Sequence, residues 1–338
     1  MIVNNFFVSL QILFRDDDIM SKFTFTEKKD TRSGYGAGLL EAAKRNPNVV
    51  GLTADLTGSV KMDAFAKEFP ERFVQVGIAE ANMIGIAAGL TIGGKIPFAS
   101  TFANFATSRV YDQIRQSVAY SEKNVKIAAT HAGLTVGEDG ATHQVLEDIG
   151  MMKMLPGMTV VVPCDYNQAY LATLAAAEHV GPMYLRYGRP TVPNFTSLDE
   201  KFEIGKGILL QEGNDVTIIA CGHLVWTALQ AAEQLQDQGI SAEIISIHTI
   251  KPLDTELILK SVLKTGCVVT VEEHNIIGGL GDSVAHFLSR TVPSPIEMLG
   301  VNDVFGESGT PQQLLDKHHL NEQGIIDSVL TILNRKVS

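Results

Sequence analysis

Residues 72–101 read "RFVQVGIAEANMIGIAAGLTIGGKIPFAST". A short strand-like run, Phe73–Val76, leads into a segment that is small and apolar from Met83 to Leu90. A second strand-like run, "KIPFAST", then follows. Two strands joined by a helix of this length fit a parallel crossover unit, because parallel strands need a connection of a dozen residues or more. At the head of the helix stands Glu80. A carboxylate placed where a helix is about to be buried costs several kcal/mol unless it is protonated or paired. The same stretch therefore predicts the fold and raises a question about chemistry.

The pattern repeats outward in both directions. Helical "GYGAGLLEAAKRN" precedes the strand "VVGLTAD", and "DAFAKEFP" precedes "RFVQV". After "KIPFAST" come a helix over "FATSRVYDQIRQSVAY", the strand "VKIAAT", a helix over "QVLEDIGMMKML", the strand "MTVVVP", a helix over "YNQAYLATLAAAEHV" and the strand "PMYLRY". This alternation predicts an α/β domain with a parallel sheet and helices on both faces. "GRPTVPNFTSLDEKF", with two prolines, breaks the rhythm and reads as a linker. A second, smaller alternation follows, from "DVTIIACG" to a closing helix "IIDSVLTILNRK". The expected layout is a first α/β domain over 20–190, a linker over 191–202 and a second α/β domain over 203–338. Residues 1–19 read as an extension outside the core. "FFVSLQILF" is shorter than the ~20 residues that span a bilayer. It also lacks a preceding basic residue and a small-residue cleavage site, so it does not read as a signal peptide.

The chain has 338 residues and a formal net charge of −11, which argues against nucleic acid or a membrane surface as a partner. An anionic ligand would have to be met by a local basic cluster. Cys164, Cys221 and Cys267 have neither metal-type nor redox-type spacing, and read as buried thiols of a cytoplasmic protein.

In open parallel sheets, ligands bind beyond the carboxyl ends of the strands. That rule gathers Asp55 and Ser59 after "VVGLTA", Glu80 after "RFVQV", Phe102 and Phe105 after "KIPFAST", His131 after "VKIAAT" and Arg186 at the end of "PMYL". Singly, each has a structural explanation; most phenylalanines are core residues, and a lone histidine is usually a hydrogen-bonded core group. Their coincidence at one edge weakens it. The loop "THAGLTVGEDGATHQ", 130–144, adds Asp139 and His143. A turn explains its glycines but not its two imidazoles and two carboxylates, and glycine-rich loops carrying titratable groups are disproportionately functional. His131 and His143 without a third ligand make a poor zinc signature, so no metal site is expected in this chain.

In this order, "ADLTGS", "VGIAEANM", "STFANF", "HAGLTVGEDGATHQ" and "LRYGRP" resemble the transketolases, which use thiamine diphosphate. The resemblance spans about residues 22–335 and implies a pyrimidine-binding domain followed by the transketolase C-terminal domain. The Gly-Asp-Gly…Asn motif that holds the diphosphate and Mg²⁺ in this family is missing. The expectation is therefore the C-terminal subunit of a split transketolase, acting with a separate N-terminal subunit that binds the diphosphate and most of the Mg²⁺ shell, in a heterotetramer. The resemblance implies that Glu80 hydrogen-bonds the aminopyrimidine of the cofactor and favours the imino tautomer that takes the C2 proton. A buried carboxylate suits this contact, since low dielectric strengthens it.

Residue by residue, the resemblance implies that Phe102 and Phe105 pack on the pyrimidine, with Ser108 where the family has a third aromatic, usually Tyr. Of the family's Arg-Glu-His triplet, Ala79-Glu80-Ala81 keeps only the carboxylate. Asp139 and His143 match residues that bind donor hydroxyls and assist proton transfer. Arg32, Ser59, His131 and Arg186 match the cluster that grips a sugar phosphate, with Arg189 near enough to exchange roles with Arg186. Asp55 matches a carboxylate near the cofactor and subunit interface. The rival readings are the β subunit of a 2-oxo acid dehydrogenase E1, a deoxyxylulose-phosphate-synthase-like enzyme and a non-catalytic binding subunit. The His131/Asp139/His143 pattern and the phosphate cluster speak against the first. "ADLTGS" and His131 speak against the second, and retention of Glu80 with both phenylalanines against the third.

Overall fold

The computed structural model describes residues 23–336. The reading of residues 1–19 lies outside the described residues. The first domain is built on a seven-stranded sheet with the order Thr249–Lys251, Thr159–Val161, Met183–Arg186, Lys126–Thr130, Ile96–Phe102, Val49–Thr53, Phe73–Gln75. All its pairings are parallel except that of Thr249–Lys251. Val49–Thr53 and Lys126–Thr130 are buried along their whole length, as expected of central parallel strands covered on both faces. The second sheet runs Ile296–Val301, Val268–Asn275, Val216–Ala220, Ala242–Ser246, Ile208–Gln211, parallel apart from its last strand. One hydrophobic cluster joins Met83, Ile84 and Ile127 to Ile219, Ile245 and Leu288, so apolar packing runs without interruption from one domain to the other.

The helix Glu80–Ile92 stands where the opening stretch predicts it. Thr31–Arg45 is capped by Asp30, whose Oδ1 accepts from the Ser33 N–H at 2.9 Å. It packs on Tyr166–Glu178, and there Gly34 and Gly38 lie so close to the Tyr166 and Tyr170 carbonyls that a side chain at either would collide.

Three expectations need correction. The single helix expected over 105–120 is broken into Ala103–Thr107, Tyr111–Gln113 and a π-helical turn, Ile114–Ala119. Thr107 back-bonds to the Ala103 carbonyl and Ser108 Oγ donates to Asn104 Oδ1, so local side-chain bonds compete with the helix at the break. The helix expected over 144–155 begins only at Asp148, because the Gln144 side chain is committed to the carbonyls of Leu134, Gly137 and Glu307. Within the stretch read as a linker, Thr191–Pro193 pairs antiparallel with Lys28–Asp30. Just beyond, Asp165 accepts from the backbone of Phe195 and Thr196, fastening this segment to the first domain. The strand Thr249–Lys251, lent by the second half of the chain to the first sheet, was not foreseen.

Candidate active site

The strand ends deliver a connected row of side chains. Glu80 is the first residue of its helix and 5% exposed, and Arg109 Nη1 lies 3.6 Å from its Oε2. The Arg109 guanidinium sits over the Phe105 ring, 4.2 Å from its centroid. Phe105 and Phe102 stack at 5.8 Å, and Phe102 meets the His131 imidazole at 3.8 Å. His143 meets Phe105 edge to face at 5.4 Å. Both phenylalanines are half-buried and outside the hydrophobic clusters, so the core-aromatic explanation does not apply to them.

Arg32 continues the row. Its Nε is held by the capping carboxylate Asp30 at 3.2 Å, and its Nη1 donates to the Ser59 carbonyl at 3.1 Å and to His131 Nε2 at 3.2 Å. A guanidinium has no acceptor, so His131 Nε2 carries the lone pair and Nδ1–H donates to Thr130 Oγ1 at 2.9 Å. Burial, then the positive charges of Arg32, Arg189 and Lys61, with a smaller contribution from His143, pull His131 down to about 3. The imidazole is neutral at physiological pH, within a local field of three cations in an acidic chain.

Backbone geometry marks the same place. Asp55, Lys61 and His131 have φ of 59°, 64° and 59°, a left-handed conformation that is uncommon outside glycine and that clusters at functional sites. Asp55 is exposed at the end of its strand, with its N–H donating to Gln75 Oε1 at 2.7 Å. Asp139 is exposed on the loop. The loop is anchored by Gln144 Nε2 and by Asn104 Nδ2, which donates to the Thr142 carbonyl at 2.6 Å.

Arg186 is the residue the structure does not bring to this row. It is 6% exposed, its Nε donates to Asp148 Oδ2 at 2.7 Å and its Nη2 to the Glu273 carbonyl at 3.0 Å. Tyr184 OH donates to the same Asp148 oxygen at 2.6 Å. Burial alone would raise Asp148, but the Arg186 charge, helped by the hydrogen bonds of Arg186 and Tyr184, outweighs it and holds the carboxyl below its usual range. The guanidinium is thus a buried tie at the domain junction. Arg189, 40% exposed and close enough to depress His131, stands in the position expected of Arg186, with its Nη1 on the Val136 carbonyl. From the second domain, Glu273 accepts from the Thr135 N–H at 2.6 Å and pairs with His223 at 2.9 Å. A Cβ on Gly133, at φ 84°, would collide with that carboxylate.

Sequence reasoning missed Arg109 and Lys61. Lys61 lies two residues after Ser59, so its proximity was visible; Arg109 was hidden by the expected continuous helix. A cavity of about 840 Å³ lined by Lys153, Lys251, Phe287 and Arg290 shares no residue with this row. Cys164, Cys221 and Cys267 are buried and unpaired. Among the described residues no helix is long and apolar enough to cross a membrane.

The class of protein is set by two α/β domains, the first with a buried carboxylate and stacked aromatics at the carboxyl edge of its parallel sheet. Residues 27–194 match the family model of the transketolase pyrimidine-binding domain and residues 205–325 that of the transketolase C-terminal domain. The chain belongs to the transketolase family. It is 48% identical over 311 residues to a chain of Methanocaldococcus jannaschii assigned as a transketolase C-terminal section, covering 91% of this chain and 98% of that one. It is 43% identical over 305 residues to the 6-deoxy-6-sulfo-D-fructose transketolase subunit SqwH of a Clostridium species, covering 90% and 95%. Among solved structures it resembles a split-gene transketolase in the form of an inactive β4 tetramer, with a TM-score of 0.86 and 50% identity over 91% of this chain and 99% of that one.

Proposed function

We propose that this chain is the C-terminal subunit of a two-chain, thiamine-diphosphate-dependent transketolase that moves a two-carbon ketol unit from a ketose to an aldose. The observation that carries this reading is the buried Glu80 beside the Phe102/Phe105 stack. Ser108, three residues after Phe105, is exposed and adds no third aromatic. A carboxylate and aromatic faces fit an aminopyrimidine. Bound there, the cofactor supplies a nucleophilic carbon for the ketol unit. Glu80 holds the pyrimidine by a strong hydrogen bond in a water-poor setting. Phe102 and Phe105 orient it, and Asp55 lies near the cofactor and the contact between subunits.

His143 and Asp139 bind the hydroxyls of the donor and move protons to and from them. The terminal anionic group of the sugar, a phosphate or a sulfonate, is gripped by Arg32, Ser59 and His131, with Arg189 in place of Arg186 and Lys61 adding charge. The neutral His131 serves here as a single hydrogen-bonding group rather than as a cation. The relative named for 6-deoxy-6-sulfo-D-fructose supports a terminal oxyanion as the recognised feature. Relatives that are themselves C-terminal sections or subunits, covered over 95–99% of their own length, support a separate N-terminal subunit; it supplies the diphosphate and Mg²⁺ ligands in a cytoplasmic heterotetramer. The solved relative that forms an inactive tetramer of one chain type supports the dependence on a partner.

The test is ketol transfer and thiamine diphosphate binding by the purified chain, alone and after addition of the N-terminal subunit. Activity that appears only in the mixture is expected. Full transfer by the chain alone would overturn the two-chain reading.

A further inference from the structure

Arg109 has a position that nothing else in the site explains. It emerges at the break between Ala103–Thr107 and Tyr111–Gln113, just after Ser108, where the family's third aromatic is missing. From there it reaches two groups at once. Its Nη1 is 3.6 Å from the buried Glu80 carboxylate, and its Cζ is 4.2 Å from the centroid of Phe105. Those are the two groups the pyrimidine half-site offers a ligand, a carboxylate for N–H donors and an aromatic face for a flat ring.

A guanidinium is itself flat and delocalised, with N–H donors at its edge and a face that stacks on aromatic rings. It therefore satisfies Glu80 and Phe105 in the same way an aminopyrimidine would. The Arg109 side chain is 53% exposed, and the ion pair with Glu80 and the ring contact with Phe105 are its polar and aromatic contacts among the described residues.

We infer that Arg109 is an internal stand-in for the aminopyrimidine, so that it sets the affinity of the half-site by competing with the cofactor for Glu80 and Phe105. The inference rests on the cofactor reading above and adds to it a residue that must leave before the cofactor can enter. In the free chain the arrangement spares Glu80 a buried, uncompensated charge. It also makes cofactor capture weak until the diphosphate half of the site, on the partner, contributes its own binding energy.

With Arg109 as the exposed partner of both contacts, an ion pair and a cation–π contact together correspond to about a three- to thirtyfold change in an equilibrium constant. The experiment titrates thiamine diphosphate into the purified chain and follows two quantities by NMR: the dissociation constant, and the shifts of the Arg109 side-chain protons, which the Phe105 ring current displaces upfield. Arg109→Ala is expected to bind about three- to thirtyfold tighter than wild type, and Arg109→Lys, without the planar fork, to fall between them. In the wild type, the cofactor is expected to return the Arg109 shifts toward those of a solvated side chain, as Phe105→Leu does without cofactor. Equal affinity of wild type and Arg109→Ala, or Arg109 shifts unmoved on saturation, would overturn the competition while leaving the cofactor reading intact. Absence of binding to every variant and to the assembled two-chain enzyme would overturn both.

Discussion

The proposed exchange of roles between Arg186 and Arg189 makes opposite demands on two mutants. Arg186→Met keeps most of the volume but removes a guanidinium bonded to Asp148 at 2.7 Å and to the Glu273 carbonyl at 3.0 Å. Asp148 is 0% exposed and its Oδ1 has no hydrogen-bond partner among the described residues, so the mutation leaves a buried carboxylate with Tyr184 OH as its remaining strong donor. Breaking a buried pair from one side costs about 3–5 kcal/mol. At about 2 °C per kcal/mol for a chain of this size, the melting temperature should fall by roughly 6–10 °C. Adding Asp148→Asn, which keeps an acceptor for Tyr184 and removes the charge, should recover much of the loss. Arg189→Ala should leave the melting temperature nearly unchanged. In the assembled enzyme it should raise KM for a phosphorylated ketose about ten- to a hundredfold through loss of a charge-assisted hydrogen bond. Thermal melts followed by circular dichroism, and steady-state kinetics on phosphorylated and unphosphorylated ketoses, measure both. An unaltered melt for Arg186→Met together with raised KM, and a silent Arg189→Ala, would refute the reassignment.

Further expectations follow from other sites. Arg32→Ala should abolish the preference for a sugar with a terminal anion, since Arg32 and His131 act as a bonded pair; competition between phosphorylated and free ketoses measures it. Asp139→Ala should lower kcat and relax selectivity for the configuration of the donor hydroxyls, read from turnover of epimeric ketoses. Burial lowers His274 to about 4, below the 6.5 of the unfolded chain. The neutral histidine's contribution is therefore complete above pH 6.5 and is lost as pH falls toward 4. The stability difference between wild type and His274→Gln should shift against the wild type across that interval in denaturant titrations. Lys126 Nζ donates to Asn124 Oδ1 and to the His179 and Gly181 carbonyls, each at 2.7 Å. Lys126→Met removes the donor to the His179 and Gly181 carbonyls, while Asn124 Oδ1 keeps the Gly181 N–H at 3.0 Å, and should cost at least about 1–3 kcal/mol in the same assay.

Much of this architecture was legible because the signals are local. Parallel strands covered on both faces read as apolar runs, and their ends name Glu80, Phe102, Phe105 and His131 without further information. What was not legible depends on distant partners or on short breaks. Arg186 closes a buried strand and Arg189 lies in the loop beyond it. Which of them is tied down inside the protein is decided by Asp148, 38 residues before Arg186, and by Glu273 in the other domain. Thr249–Lys251 is too short to show periodicity, and its place in the first sheet comes from the junction of the domains. Arg109 was hidden because "FATSRVYDQIRQSVAY" has helical composition, while the break that aims Arg109 at Glu80 rests on side-chain bonds of Thr107 and Ser108.

The most direct test of Glu80 is the exchange rate of the C2 proton of thiamine diphosphate bound to the assembled two-chain enzyme, compared between wild type and Glu80→Gln. Glutamine keeps the volume and a hydrogen-bonding group but cannot share the proton that drives the pyrimidine into its active tautomer. Exchange slowed by about two orders of magnitude or more, with an unchanged melting temperature, is the predicted result. Exchange at the wild-type rate in Glu80→Gln would contradict the assignment of this carboxylate to cofactor activation.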